Sequence, residues 1–323
     1  HLSIRRQRQM CIRDSIMIEQ FLYIGSNMIT EIIGVIGLGN AGGAVAGALA
    51  SKTKVVGFDP DPERCLRARD LGVECVSSTV ELAKKTDHII LSLPKPEISI
   101  AVTKTLCDSA SRPKLLIETS TVTPQTAVTC NDLCKQKDIA YVDAAIAGGV
   151  ASMAAGEITF FLGGADENKK LASNILNLIA AGIHDLGPVG AGMGTKVVNN
   201  GVMHALMVVL IEAFSMSNKL GVSSQTMIEI LNREEGLLRP LVHRVQERMQ
   251  EGNYEGGMSV TNARKDSVLA LETAQQLGVP LFATLAAHTP YEIAEANDMG
   301  DLDYASLALL WEKWAKVSFK NTD

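Results

Sequence analysis

Residues Ile33-Gly34-Val35-Ile36-Gly37-Leu38-Gly39-Asn40-Ala41-Gly42-Gly43 make a short apolar run that enters Gly-x-Gly-x-x-Gly and then an alanine-rich helix pattern. Each glycine answers a separate need. Gly37 suits a tight turn after a strand, Gly39 lets backbone approach a pyrophosphate, and Gly42 permits close packing of helix on strand. A helix starting there offers unpaired N–H groups and the positive end of its dipole to phosphates. Three glycines also occur in turns that bind nothing, so the surroundings decide. A second run, Lys54-Val55-Val56-Gly57-Phe58, ends in Asp59, 17 residues after Gly42 and 22 after Gly37. At that distance a carboxylate accepts the adenosine ribose hydroxyls and repels a 2′-phosphate, which favours NAD over NADP. Asp59-Pro60-Asp61-Pro62 also reads as a plain turn, with Asp61 as N-cap and Pro62 at the first helical position. That reading accounts for Asp61 and Pro62 but not for Asp59, and Arg64 keeps NADP as the alternative cofactor.

The rest of the composition bounds the class. With 323 residues, 46% hydrophobic and 20% charged, the chain has room for two domains and a large core. A net charge of -6 without a dense basic stripe argues against nucleic acid as a partner. No apolar run reads as a membrane span: Val202 to Ile211 contains His204, is bounded by Asn200 and Glu212, and is expected to be a buried helix. Cys11, Cys65, Cys75, Cys107, Cys130 and Cys134 show neither disulfide-framework spacing nor a metal motif, which fits reduced thiols in a cytoplasmic protein and no metal. The first 27 residues differ from the rest: His1 to Asp14 carries Arg5, Arg6, Arg8 and Arg13 against one acid without hydrophobic periodicity. They read as an extension outside the fold, with the natural start near Met28.

From residue 32 to 143 short apolar runs alternate with helical patterns: Ile32 to Ile36, Val55 to Phe58, His88 to Leu93, Lys114 to Glu118 and Ile139 to Val142. This alternation implies an α/β fold, a Rossmann-type doubly wound and mostly parallel sheet. Ligands bind beyond the carboxyl ends of such strands, which singles out Gly37 to Gly42, Asp59, Leu93-Pro94, Thr119-Ser120-Thr121 and Asp143 to Gly149. Composition turns to glycine over residues 187–194, and only helical patterns follow. The expected domains are therefore a dinucleotide-binding domain over 28–189 and an all-helical domain over 190–323.

Lys196, Asn199, Asn200 and His204 lie at helical spacing in an otherwise apolar helix. Burying a lysine lowers its pKa toward the range where it exchanges protons near neutrality. A lysine in an exposed first turn, snorkelling into water, is the commoner case. The glycine loop before Lys196 ends the nucleotide domain and places this helix start at an expected interdomain cleft. There Lys196 would take a substrate hydroxyl proton as hydride leaves carbon, with Asn200 bonded to the same oxygen.

In these segments the chain resembles the β-hydroxyacid dehydrogenase family, which includes 3-hydroxyisobutyrate dehydrogenase and tartronate semialdehyde reductase and is related to 6-phosphogluconate dehydrogenase. The resemblance runs from Met28 to the C-terminus. It rests on Gly37 to Gly42, Thr119-Ser120-Thr121-Val122-Thr123-Pro124, Asp143-Ala144-Ala145-Ile146-Ala147-Gly148-Gly149, Gly190-Ala191-Gly192 through Lys196 and Asn199-Asn200, and Lys265-Asp266, in that order. It implies a Rossmann domain, a helical second domain, Lys196 as general acid/base, and a homodimer or homotetramer built through the helical domains. Cofactor contacts would come from Gly37, Leu38, Gly39, Asn40, Gly42, Asp59, Leu93, Pro94, Ser120 and Thr121, and substrate contacts from Ala147, Gly148 and Gly149. Lys265 would reach the substrate carboxylate or the cofactor. The family usually carries Ser before the Gly-Gly pair, where this chain has Ala147, and Pro is common where it has Ala145.

Simpler readings stand beside these. Thr123 and Pro124 fit a helix start, Gly148-Gly149 fits a plain turn, and Lys265-Asp266 fits a solvated pair. His88, His184, His243 and His288 show no partner in the sequence. The expected activity is NAD-dependent oxidation of a small, 3-hydroxyisobutyrate-like β-hydroxy acid. The alternatives are an NADP-linked aldehyde or imine reductase and a non-catalytic nucleotide-binding module.

Overall fold

The computed structural model describes residues 31–233 and 236–321, so the expectation for residues 1–27 lies outside the described residues. Chain packing divides the molecule into two units, one ending at Asn199 and the other beginning at Asn200. The division falls later than the 189/190 boundary read from composition.

In the first unit, β1 (Ile33–Ile36), β2 (Val55–Phe58), β4 (His88–Leu91) and β5 (Leu115–Glu118) are four-residue runs of mainly buried aliphatic residues. Strands this apolar need cover on both faces, which the crossover helices provide. These are α1 (Asn40–Ala50), α2 (Pro62–Asp70), α3 (Thr79–Ala83), α4 (Pro96–Asp108) and α5 (Pro124–Lys135). Proline opens α2, α4 and α5. Asp61 caps α2 and Thr123 caps α5, as their sequences suggest. With β3 (Glu74–Cys75), β6 (Ala140–Ala147), β7 (Ile158–Gly164) and β8 (Ala180–Asp185), the eight-stranded order is β3-β2-β1-β4-β5-β6-β7-β8.

Three strands were not expected. β3 (Glu74–Cys75) has two residues, too few for a periodic signal. β7 (Ile158–Gly164) runs antiparallel to β6 (Ala140–Ala147), and β8 (Ala180–Asp185) runs parallel to β7. They flank α6 (Val150–Ala154) and α7 (Asp166–Leu176), beyond the point where the parallel alternation was read as ending. β6 itself reaches Ala147, so Asp143 to Ala147 is strand, and only Gly148-Gly149 forms the turn.

The helix α8 (Ala191–Lys219) begins in the first unit and continues into the second, which explains the shifted boundary: Met193, in its first turn, is fully buried in the sheet unit's core. The second unit continues through α9 (Ser224–Asn232), a π-helical stretch (Leu241–Met249), α10 (Val260–Leu277), α11 (Phe282–Glu295), a 3₁₀ turn (Tyr304–Leu307) and α12 (Ala308–Ala315). Val260, Ala294, Met299 and Leu310 form one of its small cores. Arg244 stacks over Tyr304 and pairs with the buried Asp303.

The expectation that the apolar helix is buried is corrected. Val198, Val202, Met207 and Ile211 of α8 are exposed, and by length and composition alone α8 suffices to cross a membrane. Its Glu212 is nonetheless committed to the helical unit. The carboxylate accepts N–H groups of Phe282, Ala283 and Thr284 and the Thr284 hydroxyl, capping α11 from 70 residues away.

Burial alone would raise the Glu212 pKa, but these donors hold it below the usual value. A depressed folded pKa contributes stability above the unfolded pKa and loses it as pH falls through the folded one. Glu212→Ala should lower the unfolding free energy by about 1–2 kcal/mol near neutrality. Denaturant titrations at neutral pH and at a pH below the unfolded carboxylate value should show that difference shrinking in acid.

Candidate functional site

The turn after β1 forms one wall of a pocket of about 440 Å³ in the first unit. Gly37 has φ +93°, and a Cβ there would meet the Ser92 carbonyl oxygen at 2.1 Å. A Cβ on Gly42 would meet the Gly37 carbonyl oxygen at 1.9 Å. These two glycines are demanded by the protein's own packing. Gly39 is not: a Cβ there would find Arg64 Nη1 at 3.7 Å as its nearest neighbour. The space it keeps open lies on the pocket, at an α1 N-terminus that no side chain caps. That combination fits a dinucleotide pyrophosphate, which needs both the N–H groups and the close approach.

Asp59 follows β2 on the same pocket and is buried. One oxygen accepts the Leu38 N–H at 2.8 Å and the other the Asp61 N–H at 2.9 Å. The carboxylate thus ties the glycine turn to the end of β2, a role that spacing alone does not reveal. Leu38 is buried and contributes this N–H bond. Arg64 lies 3.4 Å from Asp59 and 3.3 Å from Asp61, one cation shared by two acids.

The facing wall is Ser92-Leu93-Pro94 after β4 with Ile98 and Val102 of α4. Sequence reading missed Ile98 and Val102, although their one-turn spacing beside inward-facing Ser99 and Thr103 is a legible signal. Ser120 is buried behind this wall: its Oγ accepts the Leu93 N–H at 2.6 Å, and its own N–H donates to Glu118 Oε1 at 2.9 Å. Thr121, the next residue, is exposed.

Asp143 is fully buried, and its oxygens accept the N–H groups of Gly190 at 2.8 Å and Met193 at 2.9 Å. It caps the start of α8 from β6. Burial raises its pKa while these N–H groups pull it back. A Cβ on Gly192 would meet the Phe161 carbonyl oxygen at 2.3 Å, and one on Gly163 would meet Asp143 Oδ1 at 2.7 Å. The glycines before Lys196 are therefore there to let the helix start reach this carboxylate.

Lys196 follows on the second turn of α8, half-buried, with no hydrogen-bond or ion-pair partner for Nζ among the described residues. Burial lowers its pKa. Asn200 is one turn further along, also half-buried. An amine partly removed from water and without a counter-ion releases its proton more readily than a solvated one. Ala147 ends β6, and Gly148 and Gly149 are exposed, Gly148 with φ +141°. Lys265 lies on α10 in the helical unit, exposed, with Nζ 3.2 Å from Asp266.

The four histidines without an assigned partner each have one. His88 pairs with Glu31, His184 packs on Phe161, His243 pairs with Glu247, and His288 bonds Ser267 and Glu292.

Residues 32–208 match the family described as the NAD binding domain of 6-phosphogluconate dehydrogenase. Residues 190–311 match the NAD-binding domain of NADP-dependent 3-hydroxyisobutyrate dehydrogenase. Mitochondrial 3-hydroxyisobutyrate dehydrogenase of Homo sapiens is 27% identical over 285 residues, 85% of each chain. A solved structure of the Mycobacterium tuberculosis 3-hydroxyisobutyrate dehydrogenase with L-serine aligns over 87% of this chain and 99% of that one, at 27% identity and a TM-score of 0.61. An imine reductase from Pseudomonas sp. shares the fold over 87% of this chain and 99% of its own, at 20% identity and a TM-score of 0.79.

Replacing Asp143 by Ala strands two N–H groups at the start of α8, a cost of about 1–3 kcal/mol. Asp143→Asn, which keeps one acceptor and turns an amide donor toward the other N–H, should recover part of it. Calorimetric melting of the two variants against the parent checks this order.

Proposed function

Since the chain belongs to the β-hydroxyacid dehydrogenase family, we propose that it oxidises a short β-hydroxy acid with NAD and that Lys196 takes the hydroxyl proton. The observation that carries this reading is the Lys196 amine: half-buried, unpaired among the described residues, and lowered in pKa on a helix whose first turn is fixed to the sheet by Asp143. When bound, the nicotinamide accepts the hydride that leaves the carbinol carbon. Neutral Lys196 receives the proton from the hydroxyl oxygen, and in the reverse direction its ammonium returns that proton to the carbonyl oxygen. The Asn200 amide donates to a lone pair of the same oxygen, which leaves the hydroxyl hydrogen directed at the amine. The backbone N–H groups of Gly148 and Gly149 hold the carboxylate. Lys265 adds a cation for the carboxylate or the cofactor, since its exposed pairing with Asp266 is given up at little cost.

Ala147 supplies no hydroxyl beside the carboxylate-binding turn. A bond to a charged group is worth about 1.5–3 kcal/mol, so the preferred acid is one that binds without it. NAD is favoured over NADP because Arg64 on the pocket is already shared by Asp59 and Asp61, and a 2′-phosphate would add charge beside the Asp59 carboxylate. A second reading, NADP-linked reduction of an aldehyde or imine, draws on Arg64 and on Ala147, which makes the turn less suited to an acid.

The exposure of α8 nearly all round between residues 201 and 211 supports a homodimer or homotetramer in which other copies cover Val202, Met207 and Ile211. That cover accounts for the apolar surface without a lipid partner.

Lys196→Ala should lower turnover by about 10²- to 10⁴-fold while NADH affinity is retained. Near-normal turnover in that variant would refute the assignment. A spectrophotometric screen of short hydroxy acids with each oxidised cofactor should give a higher kcat/KM with NAD, and preference for NADP would favour the second reading. Light scattering should report a multiple of 34.6 kDa for the parent, and Val202→Asp combined with Met207→Glu should shift it toward one copy.

A further inference from the structure

Glu118, the last residue of β5, is fully buried and does not line the cofactor pocket, yet it is joined to that pocket by two hydrogen bonds. Its Oε1 accepts the Ser120 N–H, and Ser120 Oγ accepts the Leu93 N–H. Leu93 and Pro94 form the wall. The other carboxyl oxygen, Oε2, makes no hydrogen bond of good geometry among the described residues; the buried Ser99 hydroxyl pulls on the carboxyl without satisfying that oxygen. Leaving a carboxylate oxygen unpaired in the interior is costly, whereas a protonated carboxyl is tolerated there far more readily. In register with Glu118 on β6 stands Asp143, whose own oxygens are committed to the start of α8. Two buried acids side by side disfavour double ionisation, and Glu118 is the one with an oxygen to spare.

We propose that Glu118 is a positioning residue for the cofactor pocket: acting through Ser120, its carboxylate fixes the Leu93-Pro94 wall, and the wall loosens when the carboxyl takes up a proton. A carboxylate is the stronger acceptor for the Ser120 N–H, and loss of its charge weakens that bond and the one to Leu93 that follows from it. Burial above all pushes the Glu118 carboxyl up to about 7, against the pull of Ser120 and Ser99 and with a further push from Asp143. The titratable groups facing it are Asp143 and Tyr141 from β6 and Cys130 from α5. Burial raises Tyr141 well above its ordinary value and Cys130 to about 11, so neither ionises in the same range. From β4 the residue in register is Leu91, and from α4 Ser99 brings a hydroxyl without charge.

The inference rests on cofactor binding and not on Lys196, so it is tested without substrate. NADH affinity is measured by fluorescence across the pH range around neutrality for the parent, Glu118→Gln, Glu118→Asp and Ser120→Ala, with a melting temperature for each. For the parent, affinity should fall about three- to tenfold toward the acid side, the difference between a charged and a neutral acceptor. Glu118→Gln and Ser120→Ala should lose that pH dependence, the second with the acid still in place, and Glu118→Asp should keep an inflection. A residue that only supports the fold would lower the melting temperature of Glu118→Gln and leave the pH dependence intact. A flat parent profile, or an inflection that survives in Ser120→Ala, overturns the proposal even if Glu118→Gln fails to fold.

Discussion

A buried carboxylate on the sheet holds the first turn of the helix that bears Lys196. Everything proposed about the chemistry depends on that attachment, because a proton carrier is useful only if its backbone is fixed relative to the strands that build the cofactor pocket. Asp143 supplies the attachment through the N–H groups of Gly190 and Met193. The demand it makes on sequence is visible around it: Gly163 and Gly192 leave no room for a Cβ against this carboxylate or its neighbouring backbone. The glycines before Lys196 thus serve packing, although as a motif they look like a ligand loop.

The same device recurs on three strands. Asp59 after β2, Glu118 at the end of β5 and Asp143 in β6 are all buried, and each accepts backbone N–H groups from a loop or helix start beside the site. Main-chain donors near a helix start carry positive partial charge, so they stabilise an acid without introducing a competing cation. They also transmit position. The glycine turn and the start of α8 are each held by one acid, Asp59 and Asp143, and the Leu93 wall is held by Ser120, whose own N–H meets Glu118.

What the sequence made legible follows from what sequence can encode. The β1–α1–β2 unit could be read because Gly37, Gly42 and Asp59 have spacing requirements set by local geometry, and the cap residues Asp61 and Thr123 because capping is local. Ser120 could be placed after a strand, but not behind the wall, since a bond to Leu93 joins residues 27 apart. The roles of Asp59 toward Leu38 and of Asp143 toward α8 were hidden for the same reason. β3 was too short to show a period, and β7 and β8 lay beyond a change of strand direction that no local pattern announces. The apolar composition of α8 suggested burial, yet composition does not record whether the chain's own packing covers a surface.

The most direct test is a titration of the Lys196 amine itself, by NMR of protein carrying ¹³C-labelled lysine. The account requires one lysine resonance to titrate below all the others and to vanish in Lys196→Met, as expected for an amine held partly out of water without a counter-ion. If the resonance assigned to residue 196 moves together with those of the solvated lysines, the amine is an ordinary surface group and the proton-carrying role is wrong.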